Sequence, residues 1–170
     1  MDRQPSVWKG LVAGAVGGLV GTFVMTRFQN AMARLGENLQ SNGDRSEQRQ
    51  EAGEPATVKA AQAITKRISG KSIPEDQKEL AGEVVHYAMG IVNGALYGMV
   101  VERVPTPRAS AGLLFGGGVW AVADEVAVPA LKLSGMPWEY GASTHASALV
   151  AHLVYGGTTW AVAAGVRALL

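Results

Sequence analysis

Six ionisable side chains lie in stretches of this 170-residue chain that are otherwise almost free of charge: Glu83, His86, Asp124, Glu125, His145 and His152. Imidazoles combined with carboxylates support three chemistries. They can ligate a divalent metal such as zinc, iron or manganese. They can hold a haem, with His86 and His152 as axial ligands. They can also pass protons or ions along a pathway. A fourth reading is structural, with Glu and Asp paired to His so that neighbouring helices are held in register. Glu83-x-x-His86 has the spacing of a di-iron bundle site, but such a site needs a second Glu-x-x-His and the sequence has none.

Other chemistries find little here. Ser143, Thr144 and Ser147 flank His145 without forming a coherent nucleophile, and Gly116-Gly117-Gly118 follows no strand that would make it a phosphate cradle. An enzymatic role is therefore not expected. The chain has no Cys, which excludes disulfides and thiolate metal sites. Its net charge of +1 offers no general attraction to nucleic acid.

Those six residues must be positioned by helices in a membrane. Of the 29 Asp, Glu, Lys and Arg residues, 17 fall between Arg27 and Glu79, so the rest of the chain is far more apolar than its mean hydropathy of +0.11 suggests. A span needs about 20 mainly apolar residues. Four segments qualify, at about 7–27, 80–101, 109–131 and 141–167, and a single all-α membrane domain, a four-helix bundle, is expected. A soluble bundle of helices apolar all round would leave its outer faces uncovered. Trp8 and Trp138 lie at span ends, where the headgroup level favours them. The first span has the outline of a secretory signal, but Arg27 intervenes before the small triplet Ala31-Met32-Ala33, and an uncleaved helix is expected.

The connections differ in length. The first, about 28–79, is long and polar: helix continues to Leu35, Asn38 to Glu54 has loop composition, and Pro55 to Ile68 carries an amphipathic pattern with Val58, Ala61, Ile64 and Ile68 on one side. Pro74-Glu75-Asp76 leads into the second span. The links at 102–108 and 132–140 are short, which predicts that consecutive spans run antiparallel side by side. Both termini then share one face. Ten Lys and Arg on the long-loop side against five on the other place that loop in the cytoplasm.

Small residues predict how the spans pack. Gly10, Gly14 and Gly18 form one GxxxGxxxG run and Gly90, Gly94 and Gly98 another; Gly112 and Gly116 add a pair on the third span, and Gly157, Ala161 and Gly165 a ridge on the fourth. These ridges suit packing within the chain, a homo-oligomer seam, or a scaffold role against a partner in a membrane complex. The polar residues share the small-residue faces: Glu83, His86, Gly90, Asn93 and Tyr97 on one stripe, Gly117, Trp120 and Asp124 on a second, and His145, His152, Gly156 and Thr159 on a third, with Tyr155 alongside. The cluster should meet in the half of the membrane nearer the long loop, with Glu125 at its edge beside Lys132 or Arg27.

Several segments together resemble the YagU-like bacterial inner-membrane proteins: Pro55-Ala-Thr-Val-Lys-Ala-Ala, His86-Tyr-Ala-Met-Gly90, Gly94-Ala-Leu-Tyr-Gly98, Ala123-Asp-Glu-Val-Ala-Val-Pro129, His145, and His152-Leu-Val-Tyr-Gly156. The resemblance runs from Gly10 to about Leu170 and implies a multi-pass protein of the inner membrane, with the lipid bilayer as its surroundings. It implies no established reaction, only a loose link to acid tolerance in some members. The acidic pair Asp124-Glu125 occurs in some members and is not carried over.

Overall fold

In the computed structural model, residues 6–39, 54–104 and 109–170 are described, and they form helices and no strand. Helix α1 spans Val7–Leu39, α2 Ala56–Ser69, α3 Lys78–Arg103 after a 3-10 turn at Glu75–Gln77, and α5 Ala142–Leu169. Helix α4 is α-helical over Ala109–Val122, π-helical over Ala123–Ala127 and α-helical again over Val128–Ala130. Four of these are long and apolar enough to cross a membrane: Val7–Gly36, Glu75–Arg103, Ser110–Ala130 and Ala142–Leu169. Most of the expected loop at Asn38 to Glu54, and the link containing Pro105 and Pro107, lie outside the described residues.

Burial runs opposite to that of a soluble bundle. The most buried residues are small, with Thr159 at 0%, Ala151 at 1% and Ala13 and Thr22 at 2% exposure, whereas Val12, Val16, Leu19, Phe23, Val92 and Leu114 face outward. In lipid, apolar surface gains little from burial, and close backbone contact holds helices together instead. Large side chains therefore go outside and glycine goes between.

Helix α1 is the centre of the arrangement because it has two small-residue faces. On one, Gly10, Gly14 and Gly18 lie against Gly98, Gly94 and Gly90 of α3 so closely that a β-carbon on any of the six would strike the opposite helix. On the other, Gly17 and Gly21 meet Thr159, Ala163 and Tyr155 of α5. Helix α4 packs on α5 through Gly112 and Gly116 against Gly156. The ridge expected at Gly157, Ala161 and Gly165 is not the contact face: Ala161 and Gly165 are exposed, and Gly156, Thr159 and Ala163 pack in their place.

One consequence contradicts the short-link expectation. Helices α3 and α4 share no broad interface, because α1 and α5 each present glycine faces that draw the helices into the order α3, α1, α5, α4. The amphipathic α2 seats Val58 and Ala61 on the start of α3, where Gly82 leaves room for the Val58 side chain. It ends at Gly70 in the left-handed conformation (φ 70°) that a glycine adopts without steric cost. Lys78 ties the two helices together, 3.0 Å from Glu54 and 2.6 Å from Glu75.

Candidate functional site: a cleft between α3 and α4

Where α3 and α4 stand apart, a cleft of about 540 Å³ opens in the half of the bundle nearer the long loop. Helix α2 and the 131–140 link cover its mouth, and α1 and α5 form its back. Tyr155, one of its lining residues, belongs to an aromatic row. Tyr97 lies against Phe115 (ring centroids 4.6 Å apart), Phe115 against Tyr155 (5.7 Å), and the Tyr155 hydroxyl donates to the Gly90 carbonyl at 2.7 Å.

The carboxylates owe their position to Pro129. Proline has no N–H to give and its ring crowds the carbonyl four residues earlier, here Glu125. The ladder shifts by one residue, so that the Val128 N–H bonds the Ala123 carbonyl five residues back. In a regular helix two adjacent side chains diverge by about 100°. Across this π turn Asp124 and Glu125 instead both reach histidines of α5. The helix then stops at Lys132, held at φ 57°, with the Leu133 N–H on the Val128 carbonyl and the Lys132 N–H on the Pro129 carbonyl.

The two acid–histidine pairs are not alike. His145 Nδ1 lies 2.7 Å from Glu125 Oε1 and Nε2 lies 2.9 Å from the Pro137 carbonyl. The Pro137 carbonyl can only accept, so Nε2 donates to it, and Nδ1 and the Glu125 carboxyl share a single proton between them. The link carrying Pro137 is itself tied down, by the Met136 N–H on Glu139 (3.1 Å) and the Gly135 N–H on the Tyr140 hydroxyl (2.9 Å). Glu125, expected at the edge beside Lys132 or Arg27, is thus a bonded link between α4, α5 and the loop. His152 Nδ1 instead donates to the Ala148 carbonyl at 2.9 Å and stands 3.6 Å from Asp124 Oδ2, too far for a hydrogen bond. Asp124 makes no hydrogen bond to any described residue.

From α3, His86 and Asn93 line the cleft, and the His86 ring meets Tyr87 edge-on at 6.1 Å. Glu83 is exposed and lines an adjoining groove beside α2 with Thr26, Glu54, Glu75 and Lys78, and His86 lines both that groove and the cleft. Tyr97 is buried with its hydroxyl unpartnered among the described residues, as is the Trp120 indole N–H. Among the described residues no three His, Asp or Glu side chains are arranged to hold a metal ion, so the metal reading, one of those open from the sequence, has no ligand set among them. His86 and His152, the pair on which a haem would rest, both line the cleft.

The chain matches one protein family over residues 31–161, a stretch that contains the cleft-lining residues of α2, α3, α4 and α5 but not Thr22, Met25 and Gln29 of α1. The chain belongs to the family DUF1440. That family is described as proteins of unknown function. No curated protein and no solved structure matches the chain.

At the opposite end of this DUF1440 bundle a further cluster went unforeseen. Arg167 pairs with Glu102 through both Nε and Nη2 (the latter 3.2 Å from Oε2), and the same carboxylate accepts the Ser6 N–H at 2.8 Å. It clips the start of α1 to the ends of α3 and α5. Each residue sits at a span end, and nothing in their sequence spacing pairs them.

Proposed function

We propose that this DUF1440 protein is a proton-linked transport component of a bacterial inner membrane, with the α3–α4 cleft as its binding site. One observation carries the reading: Asp124 lies on the wall of a cleft between helices long and apolar enough to cross a membrane, without a hydrogen bond to any described residue, 3.6 Å from His152 and in the cleft that His86 also lines. An ionised group near the bilayer centre costs at least about 2.5–3.5 kcal/mol on insertion scales. An acid kept there without a bonded partner is a functional candidate, whereas Glu125, fully bonded to His145, serves to position α4. Three of the small-residue ridges a scaffold would offer to a partner's helices, at Gly10–Gly18, Gly90–Gly98 and Gly112–Gly116, are packed against this chain's own, which favours the cleft over the scaffold reading. The YagU-like resemblance supports the bacterial inner membrane, and the excess of Lys and Arg on the long connection supports its cytoplasmic placement.

The test is proton uptake into proteoliposomes holding a trapped pH dye, driven by a potassium diffusion potential. Asp124→Asn should abolish the uptake seen with the unaltered protein. Equal uptake by both, or uptake no greater than in empty vesicles, would overturn the proposal.

A further inference from the structure

The charge balance of the cleft specifies what it can take. The Glu125 carboxylate is already matched by His145, while Asp124 has only His152, whose Nδ1 is turned to a backbone carbonyl. The other titratable groups facing Asp124 are His86 from α3, Tyr155 from α5 and Tyr140 from the connecting link. Helices α1 and α2 contribute none; their lining side chains include Thr22, Met25, Gln29 and Ile64. Among the described residues no Lys or Arg lines the cleft. The walls thus present one uncompensated carboxylate and no cationic counterpart.

Each class of ligand can be weighed against that. An anion or a phosphate headgroup would meet a carboxylate and find no basic side chain to bond. A compact inorganic cation needs several ligands to replace its water, and no three converge among the described residues. An organic cation brings its own apolar surface, which Met25, Met89, Val119 and Val128 can cover, and a diffuse charge that is cheap to dehydrate. The volume, about 540 Å³, is that of a site for a small molecule.

Resting on the transport reading above, we propose that the cleft binds a lipophilic organic monocation, of the quaternary ammonium or phosphonium type, with its charge against Asp124 and its body against the apolar walls of α1, α3 and α4. Protonation of Asp124 removes the one unmatched negative charge that the described residues place in the cleft, so proton and cation compete for one carboxylate. That competition is the elementary requirement for exchanging one against the other.

The probe is radiolabelled tetraphenylphosphonium, with binding to the purified full chain measured by equilibrium dialysis in an uncharged detergent. Saturable binding at one site per chain is expected, at least tenfold weaker in Asp124→Asn and weaker at pH 5 than at pH 8. Neutral triphenylphosphine oxide, similar in shape but uncharged, should fail to compete. Ala60→Trp, which fills the mouth from α2 and leaves every charge in place, should also lower binding at least tenfold and keeps the test valid if the Asn variant misfolds. No saturable binding, equal competition by the neutral oxide, or unchanged affinity in either folded variant would overturn the proposal. Proton uptake that depends on Asp124 in the absence of any cation binding would sink the ligand class while leaving the transport reading intact.

Discussion

Away from the long loop, α1, α3 and α5 are drawn together until glycine faces glycine, and the charges there, Glu102 and Arg167, answer each other directly. Toward the loop, α3 and α4 part around a cleft, and the carboxylate of Asp124 makes no hydrogen bond to any described residue. The same chain thus builds a tightly closed region and an open one a few turns apart. The difference comes from small residues: α3 has a glycine face for α1 and none for α4, so contact is dense along one side and absent along the other. Polar groups in the closed region hold helices, and in the open one Glu125 and His145 do so while Asp124 bonds no described residue.

Filling the closed region should have the largest effect. Gly94→Leu places a side chain in the backbone of α1, and such overpacking costs about 1–3 kcal/mol even where neighbours can shift. Two backbones cannot shift, so the variant should fail to assemble, as read by size-exclusion profile in detergent. Gly118→Leu, where nothing lies within 4 Å, should assemble normally. If the two behave alike, the glycine contacts are not what closes the bundle.

Breaking the charge clip comes next. Glu102→Gln removes the ionised partner of Arg167 and weakens charge-assisted hydrogen bonds worth about 1.5–3 kcal/mol each. A lowered midpoint in a denaturing-detergent titration is expected. Glu125→Gln should also lower that midpoint, with strong non-additivity against His145→Ala in a double-mutant cycle, because the two are bonded to each other. Asp124→Asn should change stability least, within about 0.5 kcal/mol, since it removes no hydrogen bond. A destabilisation by Asp124→Asn as large as that of Glu125→Gln would erase the distinction drawn between the two pairs.

The four long apolar helices, the amphipathic α2 and most of the glycine positions were legible in the sequence because each rests on local periodicity. The pairing of helices was less so. Gly17 and Gly21 repeat at four residues after Ala13, yet the denser Gly10, Gly14 and Gly18 run masks them, and which of two faces meets which helix depends on all the others. Within the site, His86, Asp124, Glu125, His145 and His152 line the cleft, but Glu83 lines the adjoining groove and Glu125 became a bonded link. Both follow from geometry that a regular 3.6-residue period cannot supply. The π turn before Pro129 rotates the acidic pair, and seating α2 on Gly82 opens a second groove that Glu83 lines. The proline was visible at its position; its effect on Asp124 and Glu125 was not.

Because the chain has no Cys, single cysteines can be placed in either region and read without background. The most direct measurement compares labelling of Asn93→Cys and Ala148→Cys, which line the cleft, with Ala13→Cys and Ala163→Cys, which are buried in the closed region. The reagent is a water-soluble cationic methanethiosulfonate, applied to the folded protein in liposomes. Rapid modification of the two cleft positions, slowed by tetraphenylphosphonium, with the two closed positions unreactive, is the result predicted here. Equal reactivity at all four positions, or protection of the cleft positions from the reagent, would contradict the account of an open, solute-accessible cleft beside a closed helix seam.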